Sequence, residues 1–444
     1  MALEATTFFD WASNQGVSFW EVVSRNFTHP GPFGPVPISN GAQLVADENR
    51  LDLLLSPAQF GLLTGVVLFL FLRHKIARWR EEHSHLKMTS SADIQRAAYT
   101  FLTFLEFLAL APFLCTILLV FELYRTAIGA VLRHRHGKHF KGLLDGADVV
   151  WAIEDQNSRG MINIMANVEE PVATWTTGKS SMSAEILLTL RKRISSRLMR
   201  NYRPHPKMFW KRNVELGYYF WSDQSELTVE DYIRYMDTIP LTDGKRFIEE
   251  QQLRSLLSKI NNRHLPADHT SSWEVLVGRQ PFLDKERNIL QYPILFRVHH
   301  SLGDGVALMR LLLEAIVDKE VPSRWKHLSK LKINYWIMSK MTCLFPETIL
   351  RKILKSAHST LAISNLPGPQ QMPRIQGREL KNLCFFIPNL GTTAVGITLL
   401  TYGGKLQLGI LADRAVIRTE DEAHSILRGT IEEIERMGQL LDEV

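Results

Sequence analysis

His299-His300-Ser301-Leu302-Gly303-Asp304-Gly305 stands between two apolar runs, 289–298 and 306–317. Apolar run, histidine pair, glycine-bracketed turn and second apolar run predict a strand that feeds a helix through a tight loop. Imidazole titrates near neutrality, so a histidine at the mouth of such a strand is a candidate general base in a buried channel. Side chains alternate across a strand. Ile294, Phe296 and Val298 share one face, which His300 continues if the pleat runs to the strand's end; Leu295, Arg297 and His299 take the other. On that pattern His300 faces the apolar side and is the expected base, with His299 turned away. Asp304 directly precedes the helical run and reads either as a catalytic group or as an N-cap. Gly303 and Gly305 allow positive φ or the close approach of a ligand.

The heptad resembles the acceptor-activating His-His-x-x-x-Asp-Gly motif of the chloramphenicol-acetyltransferase-like superfamily. Four further patches are similar to one branch of it, the wax ester synthase/diacylglycerol acyltransferase family. They are Leu144-Asp145-Gly146-Ala147-Asp148; His264-Leu265-Pro266-Ala267-Asp268 followed by Ser272-Trp273-Glu274-Val275; Ser364-Asn365-Leu366-Pro367-Gly368-Pro369; and Thr401-Tyr402-Gly403-Gly404 with Asp413 beyond. They come in the family's order and span roughly residues 142–411.

The resemblance implies an α/β fold of two chloramphenicol-acetyltransferase-like half-domains and an O-acyltransferase activity. Acyl-CoA would be the acyl donor and co-substrate, and a fatty alcohol or diacylglycerol the acceptor. His300 would take the hydroxyl proton, His299 and Asp304 would complete the motif, and Gly303 and Gly305 would shape its turn. Ser364, Asn365, Pro367 and Gly368 would form part of the substrate channel or a structural turn. No metal and no tightly bound cofactor are implied. The family carries a longer interval than the 58 residues between Gly305 and Ser364, so the second half reads as incomplete, with the missing block near Asp318 to Pro322. Two other classes stay open: a truncated relative that binds lipid or acyl-CoA without turnover, and an acyltransferase for a small soluble alcohol.

The 444 residues suffice for more than one domain, and 45% hydrophobic with 22% charged is ordinary for a globular protein. That average hides an apolar bias in the first third. Residues 60–72 are uncharged and mostly apolar, and 99–124 form a longer run that contains Glu106 and Pro112. A membrane span needs about 20 apolar residues, so the second run qualifies and the first is marginal. A carboxylate in a span is costly, so Glu106 either lines a polar path or sits near the interface. Lysine and arginine number two before the runs, six between them and five just after, which gives no orientation by charge. Net charge is +6, and Arg125, Arg133, Arg135, Lys138 and Lys141 follow the second run, a pattern suited to anionic headgroups of membrane lipids. No interleaving of aromatic and basic residues suits stacked bases, so nucleic acid is not an expected partner. The membrane of the endoplasmic reticulum or the plasma membrane is the expected location.

Cys115, Cys343 and Cys384 have no paired spacing and predict no disulfide framework. His134, His136 and His139 are interleaved with Arg135 and Lys138, whose charge argues against a metal there. The start predicts no signal peptide. The expected organisation is an N-terminal extension over 1–56, a membrane-associated region over 57–135 with one or two apolar helices, an acceptor-activating half over 142–320 and a shortened half over 321–444. Helices are predicted over 183–199, 228–236, 245–260, 335–354 and 420–441, and strands over 161–165, 273–277, 292–298, 360–364, 392–400 and 405–410.

Overall fold

The structure, a computed structural model, describes residues 90–442 except 155–158, 174–181, 200–204, 225–226, 242–246, 262, 264, 266–270, 304, 319–341, 356–359 and 391–392. The predicted apolar run at 60–72, Asp304 and the first part of the predicted helix 335–354 lie outside the described residues, as does the side chain of Glu106.

The chain is α/β. It opens with helix α1 (Ser90–His136). At 1.5 Å per residue its 47 residues reach about 70 Å. The apolar run and the basic tail expected to follow it are thus one continuous helix. It passes through Pro112, whose carbonyl accepts the Thr116 hydroxyl at 2.8 Å. Strand β1 (Phe140–Leu143) and helix α2 (Ala147–Ala152) follow, then strand β2 (Met161–Pro171), helix α3 (Met182–Ile194) and the hairpin of β3 (Trp210–Glu215) and β4 (Tyr218–Asp223). The hairpin, absent from the sequence reading, turns on Leu216 and Gly217, both at positive φ.

Next come α4 (Val229–Tyr232), β5 (Ile233–Tyr235), α5 (Glu250–Asn261), β6 (Trp273–Val277), β7 (Phe282–Asp284), β8 (Ile289–His299) and α6 (Gly305–Ile316). The helix expected over 228–236 is therefore corrected. Its first turn forms, capped by Thr228 and Asp231, but Ile233–Tyr235 then pair in parallel with β6. A β-branched residue and an aromatic beside a sheet edge are better satisfied in the ladder than in another helical turn. The C-terminal part holds α7 (Glu347–Lys355), β9 (Leu361–Pro367), β10 (Arg374–Ile375), β11 (Arg378–Phe386), β12 (Val395–Tyr402), β13 (Lys405–Ala412) and α8 (Glu420–Asp442).

Three sheets result. The largest runs β10-β11-β2-β8-β6-β5, with β7 also on β8. Its centre is the antiparallel pair β2–β8, in register from Met161 opposite His299 to Pro171 opposite Ile289. β10 and β11 join it from the C-terminal part, so this sheet takes strands from both sides of residue 320. The other sheets are β1-β4-β3 and β13-β12-β9.

The central sheet buries both faces, each in its own way. One face carries Ile162, Ile164, Trp273, Val275, Phe296 and Val298 against the apolar stripes of α3 and α6, and is the main core. The opposite face carries Met165, Leu276 and Leu295 against Leu256 and Ile260 of α5. That second face also buries polar groups. Arg297 and Glu274, both wholly buried, form an ion pair, and Arg297 also donates to the Arg263 carbonyl at 2.5 Å. A buried charge pair is tolerated only with such additional hydrogen bonds.

Candidate functional site

β8 ends at His299, and His300 opens a 3-10 turn, His300–Leu302. The His300 N–H donates to the Gly160 carbonyl at 2.7 Å, the next bond in register with the β2–β8 ladder, and the Ser301 N–H folds back to the His299 ring at 3.1 Å, where the turn begins. His300 is half-buried and lies flat on Trp151 of α2, with ring centroids 3.7 Å apart and planes 11° from parallel.

His299 takes the face away from the main core, as the alternation predicts, and is buried at 1% exposure. Its bonds fix its tautomer. Nδ1 accepts the Ser301 N–H, so Nδ1 carries no proton, and the Ser301 hydroxyl lies 2.7 Å from it. The ring proton therefore sits on Nε2 and points at Glu154 Oε1, 3.0 Å away. Burial, then the nearby Arg212, pushes the His299 imidazole down to about 4. Burial opposes ionisation of Glu154, but its hydrogen bond to His299, the Arg212 guanidinium at 2.9 Å and the Gly160 N–H at 2.8 Å hold it down to about 2. Near neutral pH the pair is a neutral imidazole donating to a carboxylate. Both ring nitrogens of His299 are thus engaged within the protein.

A cavity of about 80 Å³ adjoins His299, lined among others by Glu154, Arg159, Arg212 and Ser272.

The motif's two glycines differ. Gly303 is extended, with φ 169°, a conformation open to any residue, so the turn does not use the left-handed freedom a glycine allows there. At Gly305 it is a protein side chain that comes close: a Cβ there would stand 2.8 Å from Leu366 Cδ1. The histidine turn and the Ser364–Pro369 patch are thereby brought together. That patch is more strand than turn, since β9 runs through Pro367 in parallel with β12, placing Ser364 opposite Thr398 and Asn365 opposite Leu399. Asn365 and Pro367 are exposed, and Ser364 is half-buried. The turn begins at Gly368, whose N–H donates to the Thr401 hydroxyl at 3.2 Å.

Trp151, Glu154, Gly160 and Arg212 were not singled out from sequence. Glu154 is 145 residues from His299, and no local pattern links them. Ser301 lies inside the quoted heptad, but its role depends on the turn that follows the strand.

Residues 318–437 match the family model described as WS/DGAT C-terminal domain, in line with the resemblance read from the motifs. No curated protein matches the sequence significantly. Among solved structures, the wax ester synthase/diacylglycerol acyltransferase from Marinobacter aquaeolei VT8 aligns at 14% identity with a TM-score of 0.46, over 67% of this chain and 99% of that one. The trichothecene 15-O-acetyltransferase from Fusarium sporotrichioides aligns at 8% identity with a TM-score of 0.38, over 65% and 94%. No residue role is carried over from either.

Proposed function

We propose, from a chain whose residues 318–437 match the WS/DGAT C-terminal domain, that this protein is a membrane O-acyltransferase with His300 as its general base. It would move a long-chain acyl group from acyl-CoA to a fatty alcohol or diacylglycerol. The observation that carries this reading is the engagement of both His299 ring nitrogens by Ser301 and Glu154, which leaves the base's role to His300. His300 takes the acceptor's hydroxyl proton as its oxygen attacks the thioester carbon. The carbon–sulfur bond then breaks, and the departing thiolate recovers the proton from the imidazolium, giving ester and free CoA. No acyl-enzyme is required. The face of Trp151 beneath the ring supports the transient imidazolium.

One helix segment among the described residues, Cys115–His139, is long and apolar enough to cross a membrane, and little of it is covered by protein. Phe101, Leu108, Phe113, Val120 and Leu123 stand exposed along α1. A core helix would have them buried, so lipid is the better neighbour. An acceptor dissolved in the bilayer would then reach the site from that side.

A second reading is a weak or non-catalytic relative that binds lipid or acyl-CoA. It is favoured by β9, which among the described residues pairs with β12 alone and leaves Leu361 and Ile363 exposed, as an incomplete channel wall would. The experiment offers purified protein labelled palmitoyl-CoA with hexadecanol, diacylglycerol or a short water-soluble alcohol. His300-dependent ester with the first two supports the proposal. Saturable palmitoyl-CoA binding without any ester turns the choice to the second reading, and preference for the short alcohol removes the lipid acceptor.

A further inference from the structure

The last third of α1 turns Thr126, Gly129 and Ala130 towards β1, since residues three and four apart share a helix face. These short side chains do not fill the space between helix and strand. An open cleft of about 400 Å³ remains between α1, β1 and the β3–β4 hairpin. Trp210 and Trp221 form one wall, their ring centroids 6.4 Å apart.

Four cations border the cleft, Arg125, Arg133, Lys141 and Lys207, with one carboxylate, Asp145. Asp145 holds Arg125 at 2.5 Å, while Asp223 and Asp148, from outside the lining, hold Lys141 at 3.0 Å and Lys207 at 2.7 Å. Arg133 has no carboxylate partner among the described residues. The Trp221 indole N–H and the Arg125 Nε–H are buried donors with no acceptor among the described residues. With three of its four cations already paired, the cleft keeps an uncompensated positive charge at Arg133, which suits a ligand bearing negative oxygens.

Position narrows the ligand further. Exposed large apolar side chains line α1 from Phe101 to Tyr124. From Arg125, where the cleft begins, the apolar segment Cys115–His139 turns Ile128 and Leu132 onto the β3–β4 hairpin while Val131 stays exposed, so the stretch that ends at Tyr124 is taken as the membrane part. On a membrane helix, the first basic residues and the tryptophans stand at headgroup level. We propose that this cleft seats the phosphate of an anionic phospholipid, with the glycerol against the tryptophans. The inference rests on reading α1 as a membrane helix and is independent of the chemistry at His300.

Inorganic phosphate and the phosphates of CoA share this chemistry, so the test carries an arm for each. The full chain in neutral detergent is titrated calorimetrically with dioctanoyl phosphatidylglycerol, dioctanoyl phosphatidylcholine, inorganic phosphate and CoA. Phosphatidylglycerol should saturate the protein about tenfold more tightly than any of the other three. Arg133→Gln with Lys141→Gln should weaken it by about tenfold or more, and so should Gly129→Leu, which fills the cleft without altering charge. Melting curves without lipid identify the folded variants; should neither fold, the four-ligand comparison on the unaltered chain decides. Equal affinity for the two lipids, or undiminished binding by either folded variant, overturns the site. Tighter binding of phosphate or CoA than of phosphatidylglycerol overturns the lipid assignment.

Discussion

At the scale of single residues, the two adjacent histidines have different surroundings because the strand gives way to a turn at their position. His299 is locked by Ser301 and Glu154, and His300 lies on Trp151. His300→Ala should lower ester formation by about 10²–10⁴-fold without changing the melting temperature, the range expected for losing a general base. A residual rate above about a tenth of the native one would place the base elsewhere. His299 carries part of the pH dependence of stability, alongside His424, whose imidazole is also pushed down by burial. The His299 imidazole is held down at about 4, below the ordinary 6.5, so between those values the unfolded chain binds more protons than the folded chain. Stability therefore rises with pH across that window. The contribution is fully present above about 6.5 and lost towards 4, on the order of 3 kcal/mol. Glu154, held at about 2, adds a further loss as pH falls below 4.5. His299→Gln keeps an N–H for Glu154 but does not titrate. Its melting temperature should fall less steeply than the native one on acidification through the window, and parallel curves would exclude His299 as a source.

At the scale of elements, glycines set how closely the C-terminal strands approach. A Cβ on Gly368 would stand 2.3 Å from the Thr401 carbonyl oxygen and 3.1 Å from Leu400 Cδ1. The obstacle is backbone of β12, which cannot rotate aside as a side chain does. Gly368→Ala should therefore cost about 1–3 kcal/mol or more by overpacking, read as a drop in denaturation midpoint. Gly438→Ala is the control, since nothing lies within 4 Å of its added Cβ in α8 and it should gain up to about 1 kcal/mol of helix propensity. If both substitutions leave the midpoint in place, the contact of Gly368 with β12 contributes little to stability.

For the molecule as a whole, α1 both carries exposed apolar side chains and packs its last turns on the β3–β4 hairpin. Ile128 and Leu132 are buried against Tyr218 and Phe220 of β4. Burying one such aliphatic side chain contributes about 1.5–3 kcal/mol. A deletion of residues 1–135 removes both, whereas deletion of 1–124 keeps them. The full chain should stay in membranes through an alkaline carbonate wash. The 1–124 deletion should leave the membrane fraction as a dispersed protein, and the 1–135 deletion should aggregate. Release of the full chain by carbonate would reduce α1 to a surface helix, and equal solubility of the two deletions would deny its packing role.

Much was legible in the sequence because it rests on local pattern. Period-two runs gave β6 and β8, period-3.6 runs gave α3, α5 and α8, and the Tyr402-Gly403-Gly404 stretch gave the β12–β13 hairpin, with both glycines at positive φ. The histidine turn and the order of its companion patches were equally local, and residues 318–437 match the family they resemble. Tertiary structure decided what depends on distant partners. Ile233–Tyr235 became a strand because β6 lay beside it, and β10 and β11 crossed into the first sheet because β2 offered an open edge. The state of His299 is set by Glu154 and Arg212, which only the assembled sheets bring within hydrogen-bond reach of the site. A sequence pattern specifies which face a side chain takes along one element; the group it meets across the gap is fixed by how the elements pack.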